Sequence, residues 1–444
     1  MKRRLCIVFL LGFSSGLPLA LLGGTLQAWF ADAKVSVMTT GLLSLIGFPY
    51  IYRFLWAPLL DHFPLTKLGK RRSWILLMQL LLLLGFNALA WLSPTTSPGL
   101  MGLIGLLLAV FSATQDVAID AHRIEYLPPE AHALGASLAV CGYQVALLLS
   151  GGLALVMAHH FGWAITYRAM GALLTLGMFS VLITSEPSKP STVEKVSLSE
   201  AFIQPAKALL ARNGILWMLL FVLFYKLAEA FTTTNSGIIM PFLIQGLGFS
   251  LDVIGYVNKV MGVSAVLLGG LAAGIILTRW SLYRALWTFG FFQSFSHLFF
   301  VALALVGKHT TLFAVAVVFN NLALGMGATS LVAFLMRWVD KQYTATQFAI
   351  LVGVSSLPRV FSGPIGGMLE RLVGWAGLYE ITFLLTLAFV PFIILMQKAG
   401  VFDECGTEGG NRTHTMSPSP DFESGASTNS ATPAKEGIIS KESR

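Results

Sequence analysis

Seven ionisable residues sit inside long apolar runs of the chain: Arg53, Asp116, Asp120, Lys226, Glu229, Lys259 and Arg359. Each costs about 2.5–3.5 kcal/mol at the centre of a membrane helix, and unpaired they would together approach ~20 kcal/mol. Folding stability cannot absorb that sum, so they must face one another or a wet cavity. Asp116 and Asp120 are four residues apart, which puts both carboxylates on one helix face. Two like charges so close bring proton uptake by one of them within reach of neutral pH, the chemistry of proton-coupled movement of a solute. Paired instead with Arg53 or Arg123, the same carboxylates would fasten helices together, and Asp120 lies near the end of its run, where water could solvate it. Lys226 and Glu229, three residues apart, form a local ion pair or one that opens when a ligand carboxylate competes for Lys226. Arg359 follows Pro358 near the middle of its run, poised for bidentate carboxylate recognition. Lys259, beside Asn258, either reaches a ligand or snorkels outward.

Four cations against three carboxylates, or two once one is protonated, favour an anion in any enclosure they share. Polar side chains that could read a sugar or peptide accompany them: Gln115, Tyr143, Gln144, Asn258, Asn321 and Gln347, together with Gln27 and Thr232–Thr234. Taken singly, each serves equally well as a helix–helix hydrogen bond. Cys6, Cys141 and Cys405 have neither metal-ligand spacing nor the look of a disulfide framework, so no metal or cofactor is expected. No metal-spaced histidine cluster or nucleophile motif supports a membrane enzyme acting on lipid-linked precursors.

The elements that must position these residues are membrane helices. Of 444 residues, 55% are hydrophobic and only 11% charged, too few charges to cover a soluble surface. Apolar runs of roughly 20 residues recur, the length that crosses about 30 Å of hydrocarbon. They predict an all-α membrane protein with twelve transmembrane helices near 5–30, 37–60, 73–93, 98–122, 132–158, 163–184, 214–244, 251–278, 282–306, 310–337, 344–370 and 375–398. Lys2, Arg3 and Arg4 precede the first run, which continues to Trp29, too long for a signal peptide. With the N-terminus inside, sixteen Lys and Arg fall in inner segments up to residue 398 and three (Lys34, Lys308, Arg371) in outer ones. That asymmetry puts both termini in the cytoplasm. It also accounts for the net charge of +8 without a nucleic-acid partner.

Residues 1–184 and 214–398 read as two six-helix bundles, 185–213 as a Pro-containing, basic cytoplasmic linker, and 399–444 as a disordered polar tail. The halves carry equivalent features at a nearly constant offset. Gly41 matches Gly255, and Ser150-Gly151-Gly152 matches Ser362-Gly363-Pro364. Breaks also correspond: Gly12, Gly16, Pro18, Gly23 and Gly24 in the first span, Gly237 and Pro241 in the seventh. Paired interruptions point to bending elements around a midplane site, and pseudo-symmetric halves enclose a cavity that alternates between the two sides of the membrane.

The segment Asp61-His62-Phe63-Pro64-Leu65-Thr66-Lys67-Leu68-Gly69-Lys70-Arg71-Arg72 resembles the loop signature of the major facilitator superfamily. It departs by Ala57 in place of a glycine four residues before the Asp, and by extra residues before Gly69. The resemblance implies gating, with Asp61 and the basic cluster that holds Arg71 locking the cytoplasmic side, and Asp61 pairing with Arg123 or with the N-terminal end of the eleventh helix; the plain alternative is positive-inside anchoring by the same basic cluster. More specifically, Gly12–Trp29 (GFSSGLPLALLGGTLQAW), Arg53–Asp61 (RFLWAPLLD), Ser112–Asp120 (SATQDVAID), Tyr225–Phe231 (YKLAEAF), Val257–Lys259 (VNK) and Ala345–Ala349 (ATQFA) look like the AmpG-type anhydromuropeptide permeases. What this implies is proton-driven import of N-acetylglucosamine–anhydromuramyl peptides across the bacterial inner membrane for cell-wall recycling, with support of β-lactamase induction, by a monomer in the lipid bilayer. The family's acidic positions map onto Asp116, Asp120 and Glu229. Gln144 and Asn320 depart from an Arg and an acidic residue common in the family. An acetyl-coenzyme A carrier or an exporter of small amphiphiles is the rival within the same fold.

Overall fold

A computed structural model describes residues 1–56, 60, 68–128, 131–184, 204–234, 236–339 and 344–404. Twelve spans run through them: α1 (Lys2–Asp32), α2 (Val37–Tyr52), α3 (Lys70–Leu89), α4 (Pro98–Tyr126), α5 (132–161), α6 (Trp163–Leu182), α7 (215–246), α8 (Leu251–Leu277), α9 (Leu282–Val306), α10 (Thr310–Trp338), α11 (344–373) and α12 (375–398). Starts are marked by side-chain caps: Ser36 accepts from the Thr39 amide before α2, and Ser281 from the Arg284 amide before α9. Between α11 and α12 the turn is a single residue, Gly374, at φ +71°, a conformation that costs glycine nothing.

Several spans are irregular, and the irregularities fall where the sequence carries its glycines. Gly23 departs from helical geometry (φ −89°, ψ −112°) inside a wide turn at Leu21–Thr25. Similar wide turns occupy Leu149–Leu153 in α5 and Tyr256–Met261 in α8; such turns free backbone groups and recur at functional sites. The seventh span is interrupted near its middle. Its first helix ends at Ala230, and helix resumes at Ile239 after a break that holds Gly237 at φ +81°. α2 tightens into 3₁₀ geometry at Leu43–Gly47 and again at Arg53–Leu55, which re-aims every later side chain relative to an α register.

Each half builds its own core. Phe30, Phe86, Tyr167 and Leu174 interlock in the first, and Phe221, Tyr225, Phe334, Trp338 and Phe389 in the second. A further cluster joins them, with Ala28, Leu155 and Ala158 packed among Ile238, Phe242, Leu243, Phe313 and Tyr379. Exposed leucines and isoleucines such as Leu267, Leu271 and Ile275 face outward, as lipid contact requires.

Two boundaries differ from the sequence reading. The linker ends in a short helix, Gln204–Leu210, bent by 95° from α7. The tail begins too early in the sequence reading, because Val401–Glu404 is helical and Phe402 packs against Tyr283 and Phe334, which fixes that stretch to the second bundle. Residues 185–203 of the linker and 405–444 of the tail lie outside the described residues.

Candidate transport site

The membrane-embedded charges form two ionic groups, one in each half. In the first, Asp116 on α4 accepts a 2.6 Å hydrogen bond from Ser15 Oγ of α1 and lies 3.6 Å from Arg53 Nη1, just past α2. One turn along α4, Asp120 pairs with Arg123 at 3.3 Å. Three helices therefore converge on two carboxylates, and every charge has a partner. In the second, Lys226 Nζ and Glu229 Oε1 are 2.6 Å apart on α7, and Arg359 of α11 lies within electrostatic reach of Glu229. The pairs that the plainer reading of the sequence called for are thus formed. They are not fully enclosed: the side chain of Arg53 is 19% exposed and that of Lys226 15%.

The two groups are joined through a seam between α2 and α11. Ser44 Oγ donates to the Val360 carbonyl at 2.6 Å, Gly47 packs on Val360, and Ile51 lies over Gly353. In sequence Arg359 adjoins Val360 and Arg53 lies two residues past Ile51, next to the residues of this seam.

Hydrogen bonds between the halves gather at the end that carries the turn 33–36. Gln245 Nε2 donates to the carbonyls of Ala31 (2.9 Å) and Val35 (2.8 Å). The Gly237 amide, freed by the break in α7, donates to Gln27 Oε1 at 3.0 Å. Here the backbones of Gly41, Gly237 and Gly363 converge; a methyl on Gly41 would overlap the Gly363 carbonyl, and one on Gly363 the Gly41 carbonyl. The equivalent contact on the other side is α8 on α5, where a Cβ on Gly255 would lie 3.0 Å from the Gly152 carbonyl. Gly41 and Gly255, which the internal repeat pairs by offset, thus each meet a glycine of the second matched pair of segments, Gly363 and Gly152, crosswise at this end. Within each half the same symmetry recurs: Thr25 Oγ1 donates to the Ser150 carbonyl, and Ser362 Oγ to the Ser236 carbonyl.

Some expected ligand contacts are turned away from any cavity. Gln115 is fully buried and its amide donates to the Ser14 carbonyl at 2.8 Å, locking α4 to α1. Gln347 is also buried and donates to the Pro205 carbonyl, tying the start of α11 to the linker helix. In this structure both amide nitrogens are engaged in packing contacts between helices. Asn321 bonds back to the Val317 carbonyl and packs at Gly262 of α8. Tyr143 and Gln144 are half-buried on α5, where Tyr143 packs against Gly16 of α1. Asn258 Nδ2 is buried with no hydrogen-bond partner among the described residues. Arg71 makes a two-pronged bond to Glu125 Oε1 at 3.0 and 2.8 Å and reaches the Leu60 carbonyl. Asp61 and the side chain of Lys259 lie outside the described residues. Ser15 and Glu125, both partners of expected site residues, escape sequence reasoning; spacing gives no sign that Ser15 meets α4, and Glu125 reads as a solvated helix end. Among the described residues no three metal-ligating side chains converge.

Two helical bundles that meet around embedded ion pairs define a membrane transporter. Residues 8–306 match the Major Facilitator Superfamily. The chain is also 39% identical over 394 residues to the anhydromuropeptide permease of Escherichia coli strain K12, covering 88% of this chain and 79% of that one. It belongs to the Major Facilitator Superfamily, in the family of the anhydromuropeptide permeases. An uncharacterized protein of Haemophilus influenzae is 33% identical over 384 residues, 84% of this chain and 89% of its own. Among solved structures, a D-xylose–proton symporter superposes with a TM-score of 0.66 at 14% identity, covering 88% of this chain and 97% of the other. A POT family transporter in complex with a thioalcohol-conjugated peptide gives 0.66 at 11% identity, covering 89% and 96%. At such identities these likenesses show the fold alone. Relatives and fold are those of transporters, and the chain is not an enzyme.

Proposed function

We propose that the protein imports anhydromuropeptides across the bacterial inner membrane by proton-coupled alternating access, as a monomer with both termini in the cytoplasm. The observation that carries the reading is the pair of ionic groups flanking one seam in a chain 39% identical to an anhydromuropeptide permease. Its substrates bear carboxylates and a disaccharide, so they need cations and hydrogen-bonding groups in one chamber. Arg359 and Arg53 offer planar, bidentate recognition of carboxylate along the α2–α11 seam. Lys226 is held by Glu229 until an anion competes for it, and Tyr143, Gln144, Asn258, Lys259 and Asn321 supply the polar lining.

Proton coupling falls to Asp116, Asp120 and Glu229. Each carboxylate is held by a cation, so an incoming anion that takes the cation leaves a carboxylate best neutralised by a proton. Substrate and proton thus enter together. The seal at the end bearing residues 33–36 then gives the state open to the cytoplasm, and Arg71, with Asp61 and Arg123, locks the opposite end in the other state. The two bundles, 1–184 and 214–398, rock as units about the glycine seams.

The test is uptake of radiolabelled N-acetylglucosamine–anhydromuramyl tripeptide into energised membrane vesicles containing the full chain. Accumulation above the outside concentration, lost on adding an uncoupler, is expected. Uptake that only equilibrates, unaffected by the uncoupler, would remove the protons; no uptake of this ligand against clear uptake of acetyl-coenzyme A would replace the substrate.

A further inference from the structure

Outside the bundle interface, a groove of about 570 Å³ opens on the outer surface of the second half, lined by Trp280, Tyr283, Arg284, Trp287 and Thr288. It lies at the turn between α8 and α9, at the same end as the N-terminus. Its composition is that of the membrane–water interface. Three aromatic side chains with polar edges surround one cation, and no carboxylate is among them. Arg284 is exposed and forms no ion pair among the described residues. The indole N–H of Trp287 is buried, with no hydrogen-bond partner among the described residues.

The groove continues into an apolar stripe. Thr288, Phe292 and Phe295 follow Arg284 along one face of α9, and Phe292 and Phe295 are exposed. Eleven residues of helix separate Arg284 from Phe295, about 16 Å at 1.5 Å per residue. That is about half of the ~30 Å hydrocarbon core, the depth of one leaflet. A cation framed by Trp and Tyr at the level of the headgroups, above one leaflet of apolar surface, has the dimensions and charge of a phospholipid with a net negative headgroup.

We propose that this groove binds one anionic phospholipid of the inner leaflet, with its phosphate on Arg284 and an acyl chain along Phe292 and Phe295. A second possible occupant is the chain's own tail, because Phe402 packs edge-on to Tyr283 and residues 405–444 follow. The lipid is favoured because the stripe below Arg284 faces hydrocarbon, where a tail rich in Ser, Thr and Gly gains nothing.

Native mass spectrometry of the full chain, titrated with phosphatidylglycerol or phosphatidylcholine, tests this without measuring transport. Phosphatidylglycerol should bind at least fivefold more tightly than phosphatidylcholine. Arg284→Gln should weaken it about fivefold, the effect of one basic residue at a membrane surface, and Arg284→Lys should recover most of the loss. Arg371→Gln, which removes an exposed cation at the opposite end, should change nothing. Equal binding of the two lipids, or wild-type binding by Arg284→Gln, overturns the site. Truncation after Glu404 should leave lipid affinity unchanged; a tenfold gain would give the groove to the tail.

Discussion

A methyl group at position 363 cannot coexist with the sealed end. In Gly363→Ala the new Cβ would overlap the carbonyl oxygen of Gly41, and Ser44 Oγ crowds it from a second side. Neither neighbour can turn away, since one is backbone and the other is held by the Val360 carbonyl. Ordinary contact returns only if α2 and α11 separate by about 1.5 Å, and overpacking of this kind costs about 1–3 kcal/mol. The penalty falls on the sealed state alone, so the balance between sealed and open forms should shift about 5- to 150-fold toward the form open at this end. Spin labels at Thr96 and Thr311, both exposed at that end, would report the shift as a longer distance once the three native cysteines are replaced. Gly274→Ala, whose methyl meets nothing within 4 Å, is the control and should leave the distances as they are. Unchanged distances in Gly363→Ala, with full uptake, would refute the claim that this seam is a gate surface.

Gln27→Leu removes the acceptor for the Gly237 amide inside a buried contact and should destabilise the sealed form by about 1–3 kcal/mol, read as lower thermal stability and the same lengthened label distance; Gln27→Glu, which keeps an acceptor, should lose less. Asp116→Asn should abolish uphill accumulation while sparing exchange across the membrane, because Ser15 can still bond the amide but no proton can be carried; full accumulation would clear Asp116 of coupling. Arg359→Ala should weaken the tripeptide ligand at least tenfold more than the uncharged disaccharide in competition assays, whereas equal losses would mark a packing role.

Hydropathy reveals the spans because lipid imposes one length and one polarity on every segment that crosses it. The breaks in α1 and α7 are marked in the sequence by Gly23, Gly24, Gly237 and Pro241, although glycines in apolar runs also serve close helix packing, and the structure brings those breaks together through Gln27 and Gly237. What escapes the sequence is the direction of each polar side chain. Gln115 adjoins Asp116, yet the carboxylate turns toward Arg53 and the amide toward Ser14; periodicity assigns faces, and neighbours decide which face is wet. The 3₁₀ turns of α2 add a second obstacle, because they rephase Arg53 relative to the α-helical count from Gly41. Ser15, bonded to Asp116 across 101 positions of sequence, leaves no local trace at all.

The crosswise meeting of Gly41 with Gly363 and of Gly152 with Gly255 is the pattern of a self-complementary surface, the kind by which two identical subunits recognise each other. In a paired ancestor of one six-helix unit, any substitution there would strike both contacts at once. In a single polypeptide the two contacts are free to differ, and they do: a Cβ on Gly363 would overlap the Gly41 carbonyl, while one on Gly255 would stand 3.0 Å from the Gly152 carbonyl, tight but not overlapping. Parting the bundles at this end therefore relieves a closer approach at the α2–α11 contact than at the α5–α8 contact.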